Sequence, residues 1–126
     1  MYDNQSDQIY FLDPRGSFGP IKIYGDPLYD YAKLYYSVVG NYDQLNLGNF
    51  RLMFDGADIN LRIQSQNYEV HEEQFMQRFS NSEMRKLRLI HSLIWLSLTG
   101  YFLDNIDAAL ASYFNGLYWF QEYLRM

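Results

Sequence analysis

The apolar positions of this chain change rhythm twice. Near its start, Gln8 to Leu12 is rich in Ile, Tyr and Phe, and Ile21 to Tyr24 alternates in the same style, so both predict short strands. The segments Asp13-Pro-Arg-Gly16 and Gly19-Pro20 between them are turn signals. Asp26-Pro27 predicts a helix start. Asp26 can cap the free amides, and Pro27 suits the first helical position because its missing N–H costs nothing there. That helix should run to about Val39 and stop at Gly40-Asn41. Phe50 to Phe54 and Ile59 to Ile63 alternate around Asp55-Gly56, which predicts a hairpin.

After about Tyr68 the period becomes helical. Glu69 to Phe79 forms one amphipathic segment. Ser80-x-x-Glu83 matches a capping box, and Met84, Leu87, Ile90/His91, Ile94 and Leu98 recur behind it at helical spacing. Between Leu89 and Leu98 this helix is apolar over most of its circumference, which marks it as the central one. Asp104, with Asp107 three residues on, should open a last helix carrying Ile106, Leu110, Phe114, Leu117 and Leu124 on one side; Asn115-Gly116 is a point where it could divide. The expected fold is therefore α+β and mainly helical: a short antiparallel strand pair and a small hairpin packed with about four helices, three of them forming the core. No repeat, low-complexity tract or linker interrupts the chain, so residues 1–126 are expected to form a single domain.

Composition narrows the function classes. The 126 residues are 48% hydrophobic, too apolar for a disordered chain, and suffice for one core but not two. Aromatics reach 19%, with 13 Tyr. A buried Tyr hydroxyl needs a partner, so many of these rings should sit at the border of core and water or under another polypeptide. The net charge of −5 and the lack of a basic stripe argue against nucleic acid. With no Cys, disulfides, thiol catalysis and Cys-based zinc sites are excluded. Met1 to Gln8 is polar and acidic, unlike a signal peptide, and Leu89 to Leu98 is far shorter than the roughly 20 residues of a membrane span. A cytoplasmic protein without membrane attachment is expected.

Chemistry concentrates in Ile9-Tyr-Phe-Leu-Asp13-Pro-Arg-Gly16 and Gly25-Asp26-Pro27-Leu-Tyr-Asp30-Tyr-Ala32. A carboxylate at the end of an apolar strand, where the backbone turns, is a way to present an acid to a metal-bound phosphate. Asp13 is that acid, and Asp13-Pro-x-Gly16 is equally an ordinary turn. Asp30 falls in the first turn of the next helix, where the helix dipole favours it and where it could organise loop amides.

This pair of motifs resembles the metal-binding segment of aminoglycoside phosphotransferase and choline kinase-like enzymes, in which I-D-x-x-G is followed by G-D-P-x-x-D-L-A opening a helix. By that resemblance Asp13 matches the magnesium ligand and Asp30 the helix aspartate that braces the catalytic loop, while Asp26 remains the helix cap. Tyr31 departs from the aliphatic residue more usual there. The run from Tyr31 to Asp43 is similar to a bacterial branch, some of whose members are associated with capsule or surface-polysaccharide genes. The likeness covers about the first third of the chain; the helical remainder agrees only in character with the family's C-terminal lobe. The family uses ATP and Mg²⁺, a nucleotide-binding lobe with a Lys, and a catalytic loop H-G-D-x-x-x-x-N. The lobe and the loop motif are absent from this sequence, and Tyr2-Asp3-Asn4 falls where the residues just after the catalytic Asn would be. The chain is thus expected to be a partial kinase-like C-terminal lobe that holds no catalytic residue, binds no cofactor by itself and is inactive alone. It would work with an upstream polypeptide.

Plainer readings stand beside these. His91 is expected to be a hydrogen-bonded core histidine, and His71 with Glu72 and Glu73 lacks the pair of His that a zinc helix needs. Asp55-Gly-Ala-Asp58 reads as a hairpin turn and Arg85-Lys86-Leu87-Arg88 as a solvated helix face. Tyr29, Tyr31, Tyr35 and Tyr36 suit a substrate-side wall or core packing equally. The rival functions are a non-enzymatic helical interaction module, self-associating through exposed aromatics, and a small-ligand binder.

Overall fold

Two small hairpins precede the first helix. In the computed structural model, which describes residues 2–9, 17–22 and 25–126, β1 (Tyr2–Asp3) pairs antiparallel with β2 (Gln8–Ile9), and β3 (Ser17–Phe18) with β4 (Ile21–Lys22). Among the described residues, Gln8–Ile9 and Ile21–Lys22 each pair with their chain neighbours, since turns this short close at little entropic cost. Asp3 holds the first turn, accepting from the Gln5 amide at 3.0 Å and the Ser6 hydroxyl at 2.6 Å. Tyr10 to Leu12, Ile23, Tyr24 and the turn carrying Asp13 lie outside the described residues.

Helix α1 (Leu28–Val38) starts as its sequence predicts. Asp26 Oδ1 accepts the Leu28 amide at 3.0 Å, and Pro27 already has helical angles (φ −56°, ψ −27°), so Asp26 is the cap and Pro27 the first helical residue. At the other end the amides of Val39 and Gly40 both donate to the Tyr35 carbonyl, at 2.8 and 3.1 Å. A Cβ on Gly40 would lie 2.5 Å from the Tyr36 carbonyl oxygen and 3.1 Å from both His91 Cε1 and Trp95 Nε1. Only glycine lets the chain leave α1 this close to the central helix. Asn41 then turns left-handed (φ +55°) into α2 (Tyr42–Asn46), an element whose five residues are too few to show a period. Its anchor is the buried Leu45.

Strands β5 (Phe50–Asp55) and β6 (Asp58–Ile63) form the expected hairpin, turning at Gly56 (φ +59°). Phe50 faces Ile63 and Leu52 faces Leu61, and these four half-buried residues make its inner face. The segment predicted as one helix from Glu69 to Phe79 is a 3-10 turn, Glu69–His71, leading into the short α3 (Glu72–Met76).

The core belongs to α4 (Asn81–Leu98), which lies between α1 and α5 (Ile106–Arg125). Its capping box is complete, with Ser80 Oγ accepting from the Glu83 amide and Glu83 Oε2 from the Ser80 amide. Leu87, His91, Ile94, Trp95 and Leu98 are buried against Ala32, Tyr35, Tyr36, Leu45 and Ala111.

Two expectations for α5 change. Its cap is Asn105, whose Oδ1 accepts the Ala108 amide at 3.0 Å, in place of Asp104. The helix also runs unbroken through Asn115-Gly116, and the side it buries is Ala108, Ala111, Ser112 and Gly116. A Cβ on Gly116 would stand 2.8 Å from Leu96 Cγ, so the two helices meet there almost backbone to backbone. Small side chains permit that approach; the bulkier Ile106, Leu117 and Leu124 are left at the surface.

Candidate functional site at the start of helix α1

The residues that carry the sequence motif divide among three settings. Asp13, the candidate metal ligand, lies outside the described residues. Asp26 caps α1 and also pairs with Lys86 of α4; the Lys86 ammonium and the Leu28 amide together hold its carboxyl below the usual carboxylate range. With those two partners the carboxylate is committed to structure. Asp30 is exposed in the first turn, and no described side chain or amide bonds to it. That leaves it available to brace a loop or simply to complement the helix dipole.

Around this helix start runs a cleft of about 560 Å³, lined by Asp26, Pro27, Tyr31, Arg78, Glu83 and Lys86 among others. Tyr31 closes its floor, its ring meeting Phe79 edge-on at 5.1 Å and Phe75 at 6.4 Å. Lys86 is the residue here that sequence reasoning missed. Its partner is 60 positions away by the numbering of Asp26 and Lys86, and no local pattern signals such a pair.

The Arg85–Arg88 segment is a solvated face only in part, with Arg85 and Lys86 exposed and Arg88 largely covered. Leu87 is fully buried, and Arg85 lies over the Tyr123 ring at 5.1 Å. Arg88 donates to Glu72 at 3.0 Å while its guanidinium rests against the rings of Trp119 and Tyr35, 5.5 and 5.7 Å from their centroids.

The Tyr strip also divides. Tyr35 and Tyr36 are core residues, with hydroxyl pKa values pushed up chiefly by burial. Tyr29, by contrast, lines a separate cleft of about 810 Å³ with Lys33, Tyr42, Asn46, Tyr101 and Phe102. Aromatic walls of this kind can take the apolar face of a sugar ring, and the Lys33 charge at the rim works against a quaternary ammonium.

His91 is buried as expected, beside the Ala32 backbone, which approaches it without completing a hydrogen bond. The rings of Trp119 and Tyr35 stand edge-on to it at 4.8 and 4.9 Å, and neither ring nitrogen reaches a partner among the described residues. Burial, followed by the nearby Arg88 charge, lowers its pKa to about 3, against a weaker opposite pull from the Ala32 backbone. Trp95 Nε1 and Ser112 Oγ are likewise buried without hydrogen-bond partners among the described residues.

Among the described residues no three His, Asp or Glu side chains gather where a metal ion could be held. No helix among them is long and apolar enough to cross a membrane. Compared with known proteins, the chain matches no family model, no curated protein and no solved structure.

Proposed function

We propose that this chain is the rear part of a kinase-like phosphotransferase lobe of the aminoglycoside and choline kinase type, cytoplasmic and linked to surface-polysaccharide synthesis. Asp13 supplies a magnesium ligand, Asp30 braces the catalytic loop, and a separate nucleotide lobe brings ATP, the phosphate-binding Lys and the catalytic base. Phosphoryl transfer depends on positioning and charge neutralisation, so the chain alone gives no useful rate.

One observation carries this reading. The Gly25–Ala32 motif opens a helix at the point the resemblance requires, with Asp26 capping it, Pro27 in its first turn and Asp30 exposed on its surface. The aromatic cleft beside Tyr29 and Tyr42 offers a place for a sugar-like acceptor.

The test is paramagnetic. Mn²⁺ at millimolar concentration, added with ATP to the ¹⁵N-labelled chain, should visit the site transiently, well short of the stable binding that needs the separate lobe, and so broaden amide signals around Asp13 and Asp30, and Asp13→Asn should abolish the effect. Broadening that survives Asp13→Asn, or none with wild type at millimolar Mn²⁺, would sink the assignment. The DNA upstream of the Met1 codon gives an independent check, since the reading requires a nearby frame encoding H-G-D-x-x-x-x-N.

A further inference from the structure

The β5–β6 hairpin has one apolar face and one charged face. Phe50, Leu52, Leu61 and Ile63 turn inward, so strand alternation puts Arg51, Met53, Asp55, Asp58, Asn60 and Arg62 on the outer face. The register there sets like charge against like twice. Arg51 faces Arg62, Asp55 faces Asp58 at the turn, and Met53 faces Asn60 between them. Like charges directly opposite each other destabilise a strand pair, whereas opposite charges support it. All four charged residues are exposed, and among the described residues none of their side chains has an ion pair or a hydrogen bond. The outer face thus carries a positive end and a negative end that no described residue neutralises.

We propose that this face binds the same face of a second copy, an inference independent of the phosphotransferase reading. A two-fold axis running across the strands at Met53 and Asn60 lays β5 on β5 and β6 on β6 with their directions reversed. Met53 lies midway between Arg51 and Asp55, and Asn60 midway between Asp58 and Arg62. Arg51 therefore meets the second Asp55, and Arg62 the second Asp58, with Met53 on Met53 and Asn60 on Asn60 at the centre. Four opposite-charge contacts then offset the four like-charge pairs of the two hairpins. Laid parallel, the faces would set Arg on Arg and Asp on Asp. A uniformly acidic or basic partner would satisfy one end of the hairpin and repel the other; a second copy satisfies both. Packed sheets lie about 10 Å apart, a gap that Arg facing Asp and Met facing Met can fill. Two six-residue strands make a small contact, below the roughly 1,200 Å² of standard interfaces, so the dimer is weak and reversible.

Sedimentation equilibrium of the intact chain at low salt should show a dimer with a dissociation constant on the order of 0.1 mM. Salt at about 0.5 M should weaken it at least tenfold. Arg51→Asp with Arg62→Asp, and Asp55→Arg with Asp58→Arg, should each give a monomer. An equal mixture of these two double variants should dimerise at least as tightly as wild type, because every contact is then between opposite charges. Should a double variant unfold, cross-linking still decides, since the chain has no Cys of its own. Met53→Cys, at the axis, should oxidise to a linked dimer much faster than Ala57→Cys at the turn. A wild type that stays monomeric to about 1 mM overturns the proposal, as does a mixture that fails to associate, a dimer indifferent to salt, or equal linkage at the two cysteines. A monomer whose Arg51 and Arg62 resonances move with inorganic phosphate would overturn it too, by giving the face to an anion.

Discussion

Glu72 of α3 and Arg88 of α4 meet at 3.0 Å, and the same Glu72 oxygen accepts the hydroxyl of the buried Tyr35. Three elements thus converge on one carboxylate. The pair is partly covered, with Arg88 20% and Glu72 34% exposed, so it is worth more than a surface ion pair. Glu72→Ala would leave both donors without an acceptor and should cost about 1–3 kcal/mol in urea unfolding. Tyr35→Phe should cost about 1 kcal/mol, and less in the Glu72→Ala background, since the bond it removes is already gone. Additive losses in that double-mutant cycle would show that the three groups do not act together.

His91 makes stability depend on pH in a definite direction. Its pKa in the fold is about 3, below the ordinary value of 6.5, so the unfolded chain binds a proton that the folded chain refuses. The neutral ring's contribution is complete above about pH 6.5 and declines as pH falls towards 3, by up to roughly 1.4 kcal/mol per unit. Asp3, Asp26, Glu69 and Glu83, all lowered, add loss in the same direction at the acid end. His91→Phe should flatten the slope between pH 6 and 4, because it removes the group whose protonation the fold resists. Urea titrations at several pH values would check this, as would the His91 Hε1 shift, which should stay that of a neutral ring at pH 5.

What the sequence made legible was local. Asp26-Pro27 starts a helix, Ser80 and Glu83 close a capping box, and Gly56 turns a hairpin, because each signal and its result lie within four residues. Residues that act across the fold were misjudged. Arg88 looked solvated because Glu72 reaches it only through tertiary structure, and Lys86, though 55% exposed, gives no local sign of its pairing with Asp26. The bulky stripe of α5 looked like its core face because large apolar residues usually are, yet helix packing here selected the smallest ones. The motif's Asp30 could be placed on its helix, while the loop it would brace lies beyond what the chain's own pattern describes.

Gly116 should reverse the usual rule for glycine in a helix. At an exposed interior site, Gly→Ala gains about 1 kcal/mol. Here the new methyl would stand 2.8 Å from Leu96 Cγ and Cδ2 and 3.0 Å from the Leu96 amide nitrogen. The side chain can rotate, but the backbone cannot yield without moving α5 from α4. Gly116→Ala should therefore lose about 1–3 kcal/mol, seen as a lower thermal midpoint. Leu96→Ala combined with it should recover part of the loss; a stabilised Gly116→Ala would show that the helices sit further apart.

Asp26 separates capping from ion pairing within one side chain. Asp26→Ala removes the acceptor for the Leu28 amide and the partner of Lys86, and should cost about 1–2 kcal/mol. Asp26→Asn keeps an oxygen for the amide and loses the charge. As Lys86 is 55% exposed, that loss should stay below about 1 kcal/mol and shrink further at high salt. Lys86→Ala should match Asp26→Asn. The carboxylate's depressed pKa means its contribution is whole above the ordinary aspartate range and falls away only as pH drops through the lowered value. Chemical denaturation of the three variants at low and high salt decides the matter. If Asp26→Asn proved as costly as Asp26→Ala, the bond to Lys86, and not the helix cap, would be what fixes α1 to α4.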